Sequence, residues 1–120
     1  MAMLEDAAAW LASRTLERLS VPVLYRTGGG ETFGVRAVIG STVYEAQDGG
    51  GVVVRTETRD FIVPAAQLPR EPSRGDSVVW RGTVYEVLAP DGSPCWRWSD
   101  AYHNMKRIHT KEVGKEEDDG

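Results

Sequence analysis

The chain predicts a mainly β fold: a small β-barrel or sandwich of six to eight short antiparallel strands, with one N-terminal α-helix. Three observations carry that prediction. Residues 4–19 repeat apolar side chains at helical spacing, whereas the chain after Ser20 breaks into short β-branched and aromatic runs. Glycine- and proline-containing segments punctuate those runs throughout. The stretch from Arg74 to Asp100 has the turn and strand residues of a three-stranded meander.

The helix is predicted over Leu4–Leu19. Leu4, Ala8, Leu11, Thr15 and Leu19 fall on one stripe, which Ala7, Ala12 and Leu16 widen. Glu5 and Asp6 in the first turn, and Arg14 and Arg18 near the end, suit the helix dipole. Ser20-Val21-Pro22 stops it, because the residue before proline avoids the α region. Trp10 lies off the stripe, where it either caps the edge of the core or meets a partner. The first of these is the simpler expectation.

Val21–Thr27 reads as the first strand. Gly28-Gly29-Gly30 follows, and a phosphate loop is excluded because no Gly-Lys-Ser/Thr ending opens a helix there; a hairpin loop is expected instead. Phe33–Ile39 and Thr42–Ala46 read as two strands broken at Gly40-Ser41. Gln47-Asp48-Gly49-Gly50-Gly51 is a second glycine-rich loop. From Val52 to Val63 the alternation puts Val53, Arg55, Glu57 and Arg59 on one face and Val52, Val54, Thr56 and Thr58 on the other, which predicts one wet and one buried face. The charged face reads as solvated, or as a seam between subunits. Phe61-Ile62-Val63 breaks the alternation and predicts a bulge or burial on both sides.

Pro64–Arg74 holds three prolines and reads as a surface connector with a helical turn at residues 65–68. Gly75-Asp76 opens the meander. Val78 and Trp80 share one face of its first strand, Arg81-Gly82 makes a short hairpin turn, and Thr83–Val87 return. Pro90-Asp91-Gly92 turns the chain again, and Cys95–Trp98 form the third pass. A last strand is expected over His103–Val113. Residues 1–114 then make one domain, and 115–120 a disordered acidic tail.

Composition excludes several functions. The net charge is −4, and the last seven residues carry four acids and one lysine, a net −3 that leaves −1 for the body. A nearly neutral body lacks the basic face of a general DNA binder. Cationic side chains are 11 arginines and 3 lysines, a bias that suits bidentate ion pairs across interfaces and that a GC-rich genome also produces. No apolar run reaches membrane-spanning length, and the acidic Met1–Asp6 start argues against a signal peptide. The single Cys95 allows no intrachain disulfide and no cysteine-built zinc site, and points to a reducing compartment.

No constellation carries catalysis. Ser99, Asp100, Tyr102 and His103 are too close in sequence to converge on one substrate, and Ser99-Asp100 reads as a cap. His103 and His109, six apart, are too distant for one metal, and no His-Glu-x-x-His pattern exists. Cys95 reads as a small hydrophobe among Pro94, Trp96 and Trp98. No cofactor is expected. The aromatic concentration of Trp96, Trp98 and Tyr102, interleaved with Arg97, reads first as core, then as a protein interface, and last as a base-stacking platform.

The second half of the chain carries a family resemblance. An apolar strand at Phe61-Ile62-Val63, a connector, Gly75-Asp76, a hydrophobic strand with Trp80, Gly82 with Tyr85 and Val87, the Asp91-Gly92 turn and an aromatic C-terminal strand follow in that order. This order resembles the small head–tail joining proteins of long-tailed phages, the lambda-type connector or stopper family. The ending Met105–Lys111 is similar to that of prophage members. The resemblance covers Phe61–Lys111 well and the N-terminal helix only in kind; the alanine-rich helix and charged tail depart from it. It implies a structural, non-enzymatic protein of the virion neck, assembled in the host cytoplasm. It implies a homo-oligomeric ring of six or twelve copies between portal or adaptor and tail, with DNA passing through without sequence-specific binding and no membrane contact. Under it, Trp10, Arg55, Glu57, Arg59, Trp96, Trp98 and Tyr102 are candidate interface residues. Gly28, Gly29, Gly30, Asp48, Gly49, Gly50 and Gly51 are candidate assembly loops, and Gly75, Asp76, Trp80, Gly82, Tyr85, Val87, Asp91 and Gly92 define the fold. The alternative is an OB-like module that binds single-stranded nucleic acid through Trp96, Trp98 and Tyr102.

Overall fold

In a computed structural model, which describes residues 2–47, 49–90 and 93–116, the chain is one helix followed by seven strands of a single antiparallel sheet. Helix α1 spans Ala2–Leu19; the strands are β1 (Val21–Arg26), β2 (Thr32–Gln47), β3 (Val53–Pro64), β4 (Ser77–Trp80), β5 (Thr83–Val87), β6 (Trp96–Trp98) and β7 (Met105–Lys115). The mainly β expectation with an N-terminal helix therefore holds. Strand order is β3-β2-β1-β4-β5-β7-β6, and β3 pairs with β7 as well, so six of the strands close a ring of pairings. The closing register runs from Arg59 opposite Thr110 to Pro64 opposite Met105.

Alternation along the closed strands sends one side of each inward. Val23 and Tyr25 of β1, Val35 and Ala37 of β2, Phe61 and Val63 of β3, Val78 of β4, Tyr85 and Val87 of β5 and Ile108 of β7 form one core. Phe61 lies at its centre, edge-to-face against Tyr85 at 5.1 Å and against Trp80 at 6.2 Å. Leu68, from the connector after β3, is fully buried and closes one end. The connector is thus more than surface: Lys106 Nζ donates to the carbonyls of Leu68 and Arg70 and holds it down.

Several elements differ from the sequence expectation. Gly40-Ser41 does not break β2, which runs unbroken for 16 residues. The glycine there makes room rather than a turn: a Cβ at Gly40 would lie 3.1 Å from Arg107 Nη2, which donates to the Ser41 carbonyl. At Phe61–Val63 the second of the two expectations holds: the register with β7 is continuous, without a bulge, and both sides of the strand are covered. Phe61 and Val63 face the core, and Ile62 faces α1 across a cleft lined also by Ala8, Leu11, Val38 and Met105. The wet-and-buried alternation expected from Val52 onward also fails, because residues 52–57 are exposed on both faces.

The reason is geometric. β3 meets β7 only from Arg59 onward and β1 meets β2 only up to Ala37, so residues beyond them form a two-stranded arm with no third strand. From Arg59 to Val53 the arm extends about 20 Å at strand rise. It makes the molecule 50 × 46 × 25 Å, with a radius of gyration of 15.7 Å, where about 14 Å is expected for a compact chain of this length.

β4 and β5 join through a two-residue turn. Arg81 and Gly82 have φ of 53° and 76°, and two consecutive positive values match the type I′ hairpin, whose twist suits the strands. β7 starts at Met105, not His103, because His103 sits in the preceding turn with φ of 60°. Lys115 and Glu116, expected in a disordered tail, are held by the sheet. Lys115 is still paired, opposite Thr83, and Glu116 donates its amide to the Gly82 carbonyl and bonds Arg26. Residues 117–120, like Asp48, Asp91 and Gly92, lie outside the described residues.

Replacing Phe61 by alanine is expected to cost about 3–5 kcal/mol, the range for emptying a core aromatic site. Gly82→Ala is expected to cost about 1–2 kcal/mol by forcing a Cβ into the left-handed region. Chemical denaturation of the purified variants measures both.

Candidate functional site

The root of the arm is held by one buried charge. The Asp60 side chain is completely buried and accepts four hydrogen bonds: from Thr58 Oγ1 at 2.7 Å, Arg107 Nε at 2.7 Å, His109 Nδ1 at 2.9 Å, and Thr42 Oγ1. Burial alone would raise its pKa. The bonds from His109, Thr42, Thr58 and Arg107 together override that and hold the carboxyl well below the usual carboxylate range. A carboxylate takes only donors, so His109 Nδ1 carries a hydrogen. Its Nε2 meets the Tyr44 hydroxyl at 3.1 Å, and the two rings stand edge-to-face at 5.7 Å. Thr42 and Tyr44 come from β2, Thr58 and Asp60 from β3, and Arg107 and His109 from β7, so one carboxylate joins the three strands where closure and arm meet.

An Asp–His–Tyr series invites comparison with a catalytic relay. Its chemistry here is different. All of Asp60's bonding capacity is taken, His109 is 1% exposed, and its second nitrogen is engaged by Tyr44. Such a network orients strands and offers no free base. Among the described residues, no group of three or more His, Cys, Asp or Glu side chains is placed to hold a metal ion. Nor is any described helix long and apolar enough to cross a membrane.

A second buried carboxylate, Asp76, performs a similar task at the other end. It accepts from the Tyr25 hydroxyl, from the Gly28 amide at 2.9 Å and from the Ser73 amide at 3.1 Å, which ties β1, the β1–β2 turn and the connector together. Burial, then the Asp76 bond, push the Tyr25 phenol far above its ordinary value. The Gly28–Gly30 segment is a closed turn, with Thr27 and Glu31 bonded across it and Gly30 at φ 94°. Gly75, at φ 93°, is the residue that lets the chain enter β4.

The expected aromatic group divides. Trp96 packs half-buried against the core and edge-to-face with Trp98 at 5.1 Å; Trp98 stacks on His103 at 4.3 Å. Lys106 Nζ lies 5.4 Å from the Trp96 ring and 5.9 Å from the Trp98 ring. Both indoles therefore already have protein partners, whereas Tyr102 is 41% exposed. Asp100 accepts from the amides of Asn104 and Met105 and caps the turn into β7, as expected of a cap. Cys95 is half-buried and donates to the Pro72 carbonyl; burial raises its thiol pKa.

Two exposed surfaces remain. Trp10 is 61% exposed, so it caps no core edge; Leu11 and Leu19, expected on the buried stripe, are exposed as well. Arg55, Glu57 and Arg59 are exposed on the arm.

The molecule thus has a closed ring of strands, a projecting arm and exposed apolar side chains on α1. The family described as phage head-tail joining protein matches residues 1–117, almost the whole chain. The chain belongs to that family. No individual curated protein matches it. A head–tail joining protein is structural, which agrees with a buried polar centre that locks strands. It associates with other head and tail proteins of the phage and belongs to the neck of the virion.

Asp60→Ala is expected to destabilise the fold by about 3–5 kcal/mol, because Arg107 and its neighbours lose a buried partner. The acid dependence has a definite sign. With the folded pKa below the ordinary 3.8, the charge contributes fully above that value and its contribution is lost as pH falls towards the folded pKa. Wild-type stability should therefore decline below about pH 4, and the decline should be shallower in Asp60→Asn, as measured by denaturant melts across that range.

Proposed function

We propose that the protein assembles as a homo-oligomeric ring in the neck, between the portal or its adaptor and the tail, with the DNA passage through its centre. The closed strand order gives each copy a small barrel-like body, and the arm and α1 are the elements that reach its neighbours. The single observation that carries this reading is the pairing of that body with an arm and a helix face left exposed, in a chain whose family joins heads to tails. Assembly takes place in the host cytoplasm.

The charge distribution suits a conduit. The near-neutral body offers DNA phosphates little to bind, and the acids at Glu116, Glu117, Asp118 and Asp119 repel them. Arg26 already pairs with Glu116 at 2.6 Å, which leaves one cation fewer for DNA. The single-stranded nucleic-acid reading loses support, because Trp96 packs edge-to-face on Trp98 and Trp98 stacks on His103.

Sedimentation of the purified protein, alone and with portal and tail components of its phage, tests the assignment. A ring, or a monomer that enters one only with those components, is expected. A monomer indifferent to them yet retained by single-stranded DNA at low salt would favour the binding module. Neutralising the four terminal acids is expected to slow DNA ejection from assembled particles; an unchanged rate would remove the conduit role of the tail.

A further inference from the structure

Helix α1 leaves the body through a single residue. It ends at Leu19 and β1 begins at Val21, so Ser20 alone joins them. On the sheet side the joint is stiff. Val21 is in register with Ala37 of β2, and Pro22, opposite Arg36, fixes its own φ and keeps Val21 out of the α region. The direction of α1 therefore hangs on the backbone torsions at Ser20. Packing does little to fix it. Among the described side chains of α1, Ala8 is half-buried and the others are exposed. A cleft of about 310 Å³, lined by Ala8, Leu11, Val38, Ile62 and Met105, lies between the helix and the sheet.

One side chain grips that joint. Arg36 of β2 donates from Nε to Ser20 Oγ at 2.8 Å and from Nη2 to the Ser20 carbonyl at 2.9 Å. Its own amide donates to Gln67 Oε1 at 2.8 Å, which anchors it in the body. The two guanidinium nitrogens form a planar fork. A fork that holds both the carbonyl and the side-chain oxygen of one residue fixes the torsions of that residue. The place also suits a cation, because the carbonyls at a helix C-terminus form the negative end of its dipole. We propose that Arg36 is a positioning residue, whose fork on Ser20 sets the angle at which α1 projects from the body. Trp10 lies about 15 Å from Ser20 along the helix axis, so a swing of roughly 20° at the joint would carry it about 5 Å. The angle thus decides where the exposed Trp10, Leu11 and Leu19 are presented. The inference concerns the isolated chain and does not depend on the ring reading above.

A distance across the joint tests it. In a Cys95→Ser background, Ser13→Cys on α1 and Glu86→Cys on β5, both exposed positions, take spin labels, and pulsed electron resonance reads the distance between them. With Arg36 in place the labelled chain should give one narrow distance. Arg36→Gln removes the fork and should broaden or shift that distance. Ser20→Ala keeps the carbonyl and loses the hydroxyl, and should do so less. Arg55→Gln, which removes an exposed arginine on the arm, should leave it unchanged. Arg36 is itself exposed, so the thermal midpoint of each variant should match that of the labelled parent, and a changed distance then reports the joint and not the fold. The inference is overturned if Arg36→Gln keeps the narrow distance, or if the distance is already broad with Arg36 in place. A broadened distance accompanied by a fall in the midpoint would make Arg36 a general fold contact and would overturn it as well.

Discussion

The buried carboxylate of Asp60 is the constraint on which the rest of the molecule depends. An ion without solvent is costly unless every lone pair is met, and here the partners come from three strands. Satisfying one group therefore fixes the relative position of β2, β3 and β7. β3 and β7 supply the pairing that closes the sheet, and β2 and β3 supply the arm. Arg107 extends the same constraint by reaching the Ser41 carbonyl across Gly40, so even the lack of a side chain at residue 40 belongs to this network.

Two kinds of stabilisation divide the molecule. Inside the closed strands, aromatic and branched side chains around Phe61 provide the apolar burial, and the carboxylates of Asp60 and Asp76 fix geometry at opposite ends. Outside them, α1 and the arm have almost no core of their own. Trp10, Leu11 and Leu19 of α1 and Val43, Val53 and Val54 of the arm are exposed in the isolated chain, which is wasteful in a monomer and useful in a protein whose family joins other proteins.

Much of this was legible in the sequence, and the failures have physical causes. The meander was readable because its turns need particular residues: Gly82 and Gly75 take positive φ, and Asp76 sits at the start of β4. The helix was readable from its spacing, but which face it buried was not, because periodicity reports amphipathicity and cannot say whether the partner lies in the same chain. Alternation through Val52–Thr58 predicted a buried face for the same reason; the strand is real, and the layer that would cover it is not part of this body. Gly40-Ser41 looked like a break because glycine is ambiguous between turning a chain and admitting a neighbour. The Asp60–His109 pair escaped detection since its members lie 49 residues apart and meet only through strand register. The one available signal was an aspartate directly before Phe61-Ile62-Val63, where a solvated charge would be out of place.

The register between β3 and β7 also orders events in time. The helix and the arm are complete in the chain by Pro64, whereas β7 begins only at Met105. Until β7 arrives, Asp60 lacks Arg107 and His109, the sheet is open, and the arm root is held by the two threonines alone. Contacts so distant in sequence form slowly compared with local ones. The arm thus gains its final orientation relative to the closed body only with the last strand, so an incompletely folded chain presents a different surface from a finished one.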